Sequence, residues 1–163
     1  MNRRQRAARI AEMLAEAYPD AACELEHESP WQLLVATVLS AQCTDARVNG
    51  VTPGLFSRWP GPSELAAAPL PELEAAIRPT GMFRRKAAAL QQSARAVVER
   101  HGGELPRTLI ELAALPGVGP KTAKVVLGEG FRIAAGVTVD THVRRLSKRL
   151  GLSQLDDPER IAA

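Results

Sequence analysis

Apolar side chains recur at helical spacing along most of the chain. Ala7, Ile10, Leu14 and Tyr18 form one face of a helix predicted over residues 3–18, with Arg6, Arg9 and Glu16 pointing elsewhere and Pro19 as its stop. Residues 20–28 are irregular and acidic. Ser29-Pro30-Trp31-Gln32 then reads as a helix start, with Ser29 as N-cap, Pro30 at the first helical position and Gln32 as the reciprocal partner of a capping box. Trp31 to Leu39 is apolar nearly all round, so this helix is expected at the buried centre of a domain. Its β-branched residues would also suit a strand, but the capping signals favour the helix. Ser40 to Asp45 interrupts the run, and Thr44-Asp45 starts a further helix reaching to about Arg58.

Pro60-Gly61-Pro62 is a turn, followed by two short helices, 63–68 and 71–77, separated by Pro69. Pro79-Thr80-Gly81 is a loop. Phe83, Ala87, Leu90, Ala94 and Val97 make a long helical stripe that ends at Gly102-Gly103. Short helices are expected at 107–114 and 120–128, with Gly128, Gly130 and Gly136 loosening the chain beyond them. Asp140 can cap the next helix, whose apolar face is Val143, Leu146 and Leu150 and whose stop is Gly151. Arg144, Arg145, Lys148 and Arg149 form its other face. Asp157-Pro158-Glu159 starts a last helix within a turn of Ala163, which leads us to expect a further C-terminal part. About nine helices with short connections and no credible strand pair predict an all-α protein.

Composition supports this reading. The 163 residues suffice for one good core or two small ones, and few aromatics among many alanines and leucines favour packed helices. The net charge of +3 permits nucleic-acid binding without demanding it. The basic N-terminus, Met1 to Arg6, leads into an amphipathic helix and not an apolar signal core, and no apolar run reaches membrane-spanning length. Cys23 and Cys43 are expected as free thiols of a reduced cytoplasmic or nucleoid protein. His27, His101 and His142 have no second ligand at metal-like spacing.

The chemistry concentrates in Leu115-Pro116-Gly117-Val118-Gly119-Pro120-Lys121-Thr122-Ala123. Gly117 and Gly119 suit a tight hairpin, Pro120 suits the first position of a helix, and Lys121 follows at once. Such a hairpin presents unpaired N–H groups at the positive end of a helix, a site for one phosphate; the alternative is a tight turn between helices with no ligand. The same helix end disfavours an ammonium, and Schiff-base chemistry requires a neutral amine. Lys124 lies near the same face as a competitor for that role. Asp140 is an N-cap whose fixed carboxylate could also stabilise a developing cation or position a water. Arg84-Arg85-Lys86 and Arg144 to Arg149 are either solvated helix faces or backbone contacts to nucleic acid.

Together with Val139-Asp140-Thr141-His142-Val143-Arg144-Arg145 and Leu39-Ser40-Ala41-Gln42-Cys43-Thr44-Asp45, the hairpin resembles the helix-hairpin-helix DNA glycosylases of base excision repair, and within them the endonuclease III family of DNA glycosylase/apurinic-apyrimidinic lyases. The three motifs occur in the family's order, and the resemblance runs from the first helix to the last residue. It implies a central helical domain at 23–134 and a second helical domain, incomplete at its C-terminus, made of 1–22 and 135–163. It implies Lys121 as nucleophile, Asp140 as essential carboxylate, and monomeric action on double-stranded DNA carrying an oxidised pyrimidine or an abasic site. Gln42 would fill the space of a flipped base, and Met82, after Thr80-Gly81, would wedge the opposite strand. Pro116, Gly117, Val118 and Gly119, with a monovalent cation, would hold a phosphate, and Arg84 and Lys86 would contact the backbone. Lys121 argues against the adenine glycosylases, which lack this lysine. Glycosylases for oxidised guanine keep both residues and stand as an alternative, as does a helix-hairpin-helix module that only grips DNA. The family's [4Fe–4S] cluster is held by four cysteines spaced C-x6-C-x2-C-x5-C, and those ligands are not among these 163 residues.

Overall fold

The computed structural model describes residues 2–162 and is helical throughout, with no strand among the described residues. It divides into two compact units, 24–135 and 1–23 with 136–163. Helix α1 spans Arg3–Ala17 and begins with a capping box not anticipated above: the Asn2 side chain accepts from the Gln5 N–H, and the Gln5 side chain accepts from the Asn2 N–H, each at 2.9 Å. No residue of α1 is buried.

Helix α2 (Pro30–Leu39) is the centre of the larger unit and buries seven of its ten residues. Ser29 Oγ accepts from the Gln32 N–H at 3.2 Å, as expected of the N-cap. The reciprocal bond differs, because Gln32 Oε1 accepts from Glu28 and not from Ser29. The single helix expected to reach Arg58 is two: α3 (Asp45–Asn49) and α4 (Thr52–Arg58). Pro53 explains the break, since its ring lacks an N–H and would collide with the carbonyl four residues earlier. Helices α5 (Pro62–Ala67) and α6 (Leu70–Ile77) each carry proline in the first turn. A 3₁₀ turn over Arg78–Thr80 then leads through Gly81 and Met82 into α7 (Phe83–His101).

Helix α7 packs against α5, α6 and α2. Ala87, Leu90, Ala94 and Val97 are buried as the stripe predicts, and Lys86, Gln91 and Ser93 are buried beside them. Gly102 and Gly103 end the helix in left-handed conformation, with the Gly103 N–H reaching back to Val97 O at 3.1 Å. Helix α8 (Leu109–Ala113) and α9 (Pro120–Val125) flank the glycine hairpin. Beyond α9 the chain does not loosen at Gly128 and Gly130; it widens into one π-helical turn over Val126–Gly130 that packs on α2.

In the other unit, α10 (Thr141–Arg149) and α11 (Pro158–Ala162) are capped by Asp140 and Asp157, whose carboxylates accept from Val143 and Arg160 N–H groups at 2.8 and 2.9 Å. Arg6 of α1 donates to Gly151 O at 3.3 Å. Leu14 on α1 and Tyr18 just after it, and Leu146 and Leu150 on and after α10, are exposed. No helix among the described residues is long and apolar enough to cross a membrane.

Candidate active site and nucleic-acid interface

The hairpin between α8 and α9 is held from beneath. Leu115 and Val118 turn their side chains inward, and the Val118 N–H donates to Leu115 O at 3.0 Å. Ser93, fully buried on α7, donates to Pro116 O at 2.5 Å. Gly117 has φ +75°, and a Cβ there would lie 2.7 Å from the Ala89 Cβ, so glycine is required both by conformation and by contact. Gly119 is different: its backbone is extended and no atom lies near the place a Cβ would take. The expectation that both glycines serve a special backbone angle therefore holds for Gly117 alone. Among the described residues neither the Gly117 nor the Gly119 N–H meets an acceptor. Val118, expected among the DNA contacts, can offer only its backbone, because its side chain is buried.

Lys121 is exposed on the first turn of α9, and Lys124, one turn on, is half-buried. Asp140 stands on the other unit, half-buried, with one carboxylate oxygen engaged as the cap of α10. The basic face of α10 borders a cleft of about 530 Å³ lined by Thr141, His142, Arg144, Arg145, Lys148 and Asp156. Lys148 is paired with Asp156, and this hydrogen bond and charge hold the Asp156 carboxyl below the usual carboxylate range. Lys148 is thus partly neutralised, whereas Arg144 and Arg145 are not in any ion pair found among the described residues.

Gln42 and Met82 share an unusual backbone. Among the described residues only three that are not glycine have positive φ, and two of them are Gln42 at +54° and Met82 at +46°. The left-handed region costs an L-residue about 1–2 kcal/mol, and such strain concentrates where a side chain must be aimed. Both side chains are exposed, Met82 by 46%. Arg78 and Arg84 place their guanidinium carbons 5.7 and 5.2 Å from the centre of the Phe83 ring, so two cations flank the Met82 turn. Sequence reasoning singled out Arg84 and missed Arg78, whose only sign is its charge at the start of the turn.

Lys86 is a correction. Its expected role as a backbone contact fails because it is 5% exposed, and its Nζ donates to Leu39 O at 2.7 Å and Thr80 O at 2.8 Å. Burial holds the ammonium below the usual lysine range, and the nearby Cys43 sulfur offsets part of that effect. A separate cavity of about 680 Å³, bordered by Glu26, His27, Glu28, Gln32 and Phe56, includes none of the candidate residues.

Among the described residues no group of three or more His, Cys, Asp or Glu side chains could hold a metal ion. Cys23 and Cys43 are free thiols on different units. They do not fit a cluster that needs four thiolates.

Comparison with known proteins agrees with the geometry. The pattern of the HhH-GPD superfamily base excision DNA repair proteins matches residues 35–163. The chain is 54% identical over 160 residues to endonuclease III of Synechocystis sp. (strain ATCC 27184 / PCC 6803 / Kazusa), covering 98% of this chain and 73% of that protein. It is 47% identical to endonuclease III of Bacillus subtilis (strain 168), covering 88% of this chain and 65% of the relative. Its backbone resembles that of a solved non-covalent endonuclease III–DNA complex, with TM-score 0.89 and 44% identity over 99% of this chain and 75% of that one. The likeness to a thermostable thymine-DNA glycosylase, at TM-score 0.78 and 23% identity, extends to the fold. By these matches the chain belongs to the HhH-GPD superfamily of base excision DNA repair proteins, and within it to the endonuclease III type of DNA glycosylase/AP lyase.

Proposed function

We propose that the chain removes oxidised pyrimidines from double-stranded DNA and cuts the strand at the resulting site, with Lys121 and Asp140 as its catalytic residues. The observation that carries this reading is the exposed Lys121 on the first turn after a hairpin whose Gly117 and Gly119 N–H groups meet no acceptor among the described residues. A phosphate held at those N–H groups fixes the strand beside Lys121, assisted by the positive helix end and, as the family resemblance implies, by a monovalent cation. The damaged base is stacked in the duplex and must be extruded before an amine can reach its sugar. Gln42 would occupy the vacated space and Met82 would enter the opposite strand, and their strained, exposed placement supports both roles.

The neutral Lys121 amine then attacks C1′ as the C1′–N bond breaks, and the base leaves with the bonding pair. The sugar ring opens to a protonated Schiff base on Nζ. Loss of a C2′ proton and departure of the 3′ phosphate complete β-elimination. Asp140, fixed by its cap to Val143, would stabilise the cationic sugar or take the proton that Lys121 must lose. Gly117, Gly119 and Pro116 act through the backbone, and Arg84 through its charge. No step passes through an iron–sulfur cluster, for which these residues do not supply the ligands.

Borohydride reduction of the Schiff base tests the assignment. The folded protein should form a covalent complex with an abasic-site duplex. Lys121→Ala should lose that complex while still binding the duplex, and Lys124→Ala should keep it. A folded sample that traps no abasic-site DNA sinks the lyase assignment, and loss on Lys124→Ala alone moves the nucleophile one turn along α9. Duplexes carrying thymine glycol, dihydrouracil, uracil or 8-oxoguanine should be cut in favour of the first two; preference for 8-oxoguanine would place the chain with the guanine-oxidation enzymes.

A further inference from the structure

Lys86 joins the two segments that carry the strained residues. Leu39 ends α2 three residues before Gln42, and Thr80 ends the 3₁₀ turn two residues before Met82. One ammonium donates to the carbonyls of both, at 2.7 and 2.8 Å. These segments are 40 residues apart in sequence, as Gln42 and Met82 show, and no other side-chain hydrogen bond found among the described residues links them. Burying an ammonium is unfavourable unless it is well partnered, and a methionine would fill the same space without that penalty. Packing alone therefore does not account for a charge here. Charge-assisted bonds to two carbonyls do, because they fix a distance and a direction that apolar contact leaves loose.

We propose that Lys86 is a positioning residue that clamps the Gln42 segment to the Met82 segment, so that the two side chains enter the two strands of one duplex as a single rigid pair. This inference rests on the roles proposed above for Gln42 and Met82. Lys86 touches neither substrate nor reacting atoms; it acts through the two carbonyls. Its effect should therefore be confined to steps that require the duplex to be opened. The reaction of Lys121 with an abasic site that has no opposite base should not depend on it.

The test compares the full chain with its Lys86→Met and Lys86→Gln variants, the second retaining N–H donors where the first has none. Hydrogen exchange at residues 41–44 and 81–86 should quicken in both segments together in Lys86→Met, and less in Lys86→Gln, with the 115–119 hairpin unchanged as a control on folding. A 2-aminopurine base opposite an abasic site should brighten on binding of the wild-type protein and respond far less to Lys86→Met. Borohydride trapping should fall about tenfold on the paired duplex while staying at the wild-type rate on an abasic site in a one-nucleotide bulge. In a Gln42→Ala/Met82→Ala background, adding Lys86→Met should cost nothing further on the paired duplex. Wild-type exchange and fluorescence in Lys86→Met overturn the clamp, as does an equal loss on paired and bulged substrates. A wild-type protein that traps abasic-site DNA but leaves the aminopurine dark overturns the wedge roles, and the clamp with them.

Discussion

Asp140 carries two roles that one substitution would confound. Its Oδ1 accepts from the Val143 N–H at 2.8 Å, so it caps α10, and the proposed chemistry asks the same carboxylate to face a cationic sugar. Asparagine caps a helix about as well as aspartate, whereas alanine costs about 1 kcal/mol. Asp140→Asn should therefore unfold at nearly the wild-type denaturant concentration and still lose trapping, while Asp140→Ala should lose both trapping and about 1 kcal/mol on the denaturation curve. If Asp140→Asn kept the wild-type trapping rate, the carboxylate would be a cap only. The cap was legible in Val139-Asp140-Thr141-His142, because an acidic residue before an amphipathic run is a local signal. Lys86 was not, although a trace of it was present: it lies three residues after Phe83 and four before Leu90, on the stripe that α7 buries. Its charge and its two arginine neighbours suggested the surface. What reverses that suggestion is a pair of carbonyls from distant segments, which no local pattern reveals.

At the scale of elements, the hairpin separates its two glycines by what lies behind them. Gly117→Ala should place a Cβ in the left-handed region and against Ala89, destabilising the fold by about 1–2 kcal/mol from conformation alone. Gly119→Ala meets nothing and adopts an ordinary angle, so the free protein should melt within a degree or two of wild type. Its added methyl would instead stand beside the N–H groups proposed to hold a phosphate, and affinity for an abasic-site duplex should fall. Thermal denaturation and a binding titration on both variants check this, and equal destabilisation by the two would refute the distinction. Helices α2 and α7 were legible because burial on most sides and a clean stripe are strong patterns. The break between α3 and α4 was legible in principle, since Pro53 stands inside the run. The π-helical turn was not: Gly128 and Gly130 read as loosened chain, and packing against α2 keeps them helical.

At the scale of the whole molecule, the two units differ in what holds them. The 24–135 unit buries Leu33, Leu34, Leu39, Leu55, Leu65, Leu73, Ile77, Leu90 and Leu112 completely or nearly so. Each such side chain contributes about 1.5–3 kcal/mol relative to exposure. Neither α1 nor α10 buries a residue, and α1 at 15 residues is near the length below which an isolated helix is marginal in water. The α1 capping box, the Asp140 cap of α10 and the Arg6–Gly151 bond add little more than 1 kcal/mol each. Local opening should therefore be far easier in α1 and α10 than in α2 and α7, with backbone amides exchanging at least about 100-fold faster, a gap of roughly 3 kcal/mol. Hydrogen exchange read by mass spectrometry or NMR measures this directly. A ligand that binds the ordered form adds protection to the elements it needs. Saturating abasic-site duplex should then slow exchange in α10, which Asp140 caps and which carries Arg144 and Arg145, while α2, already near its limit, should change little. Equal protection of all four helices without DNA would mean that α1 and α10 draw stability from something other than side-chain burial. Protection by DNA that skipped α10 would remove Asp140 from the proposed site.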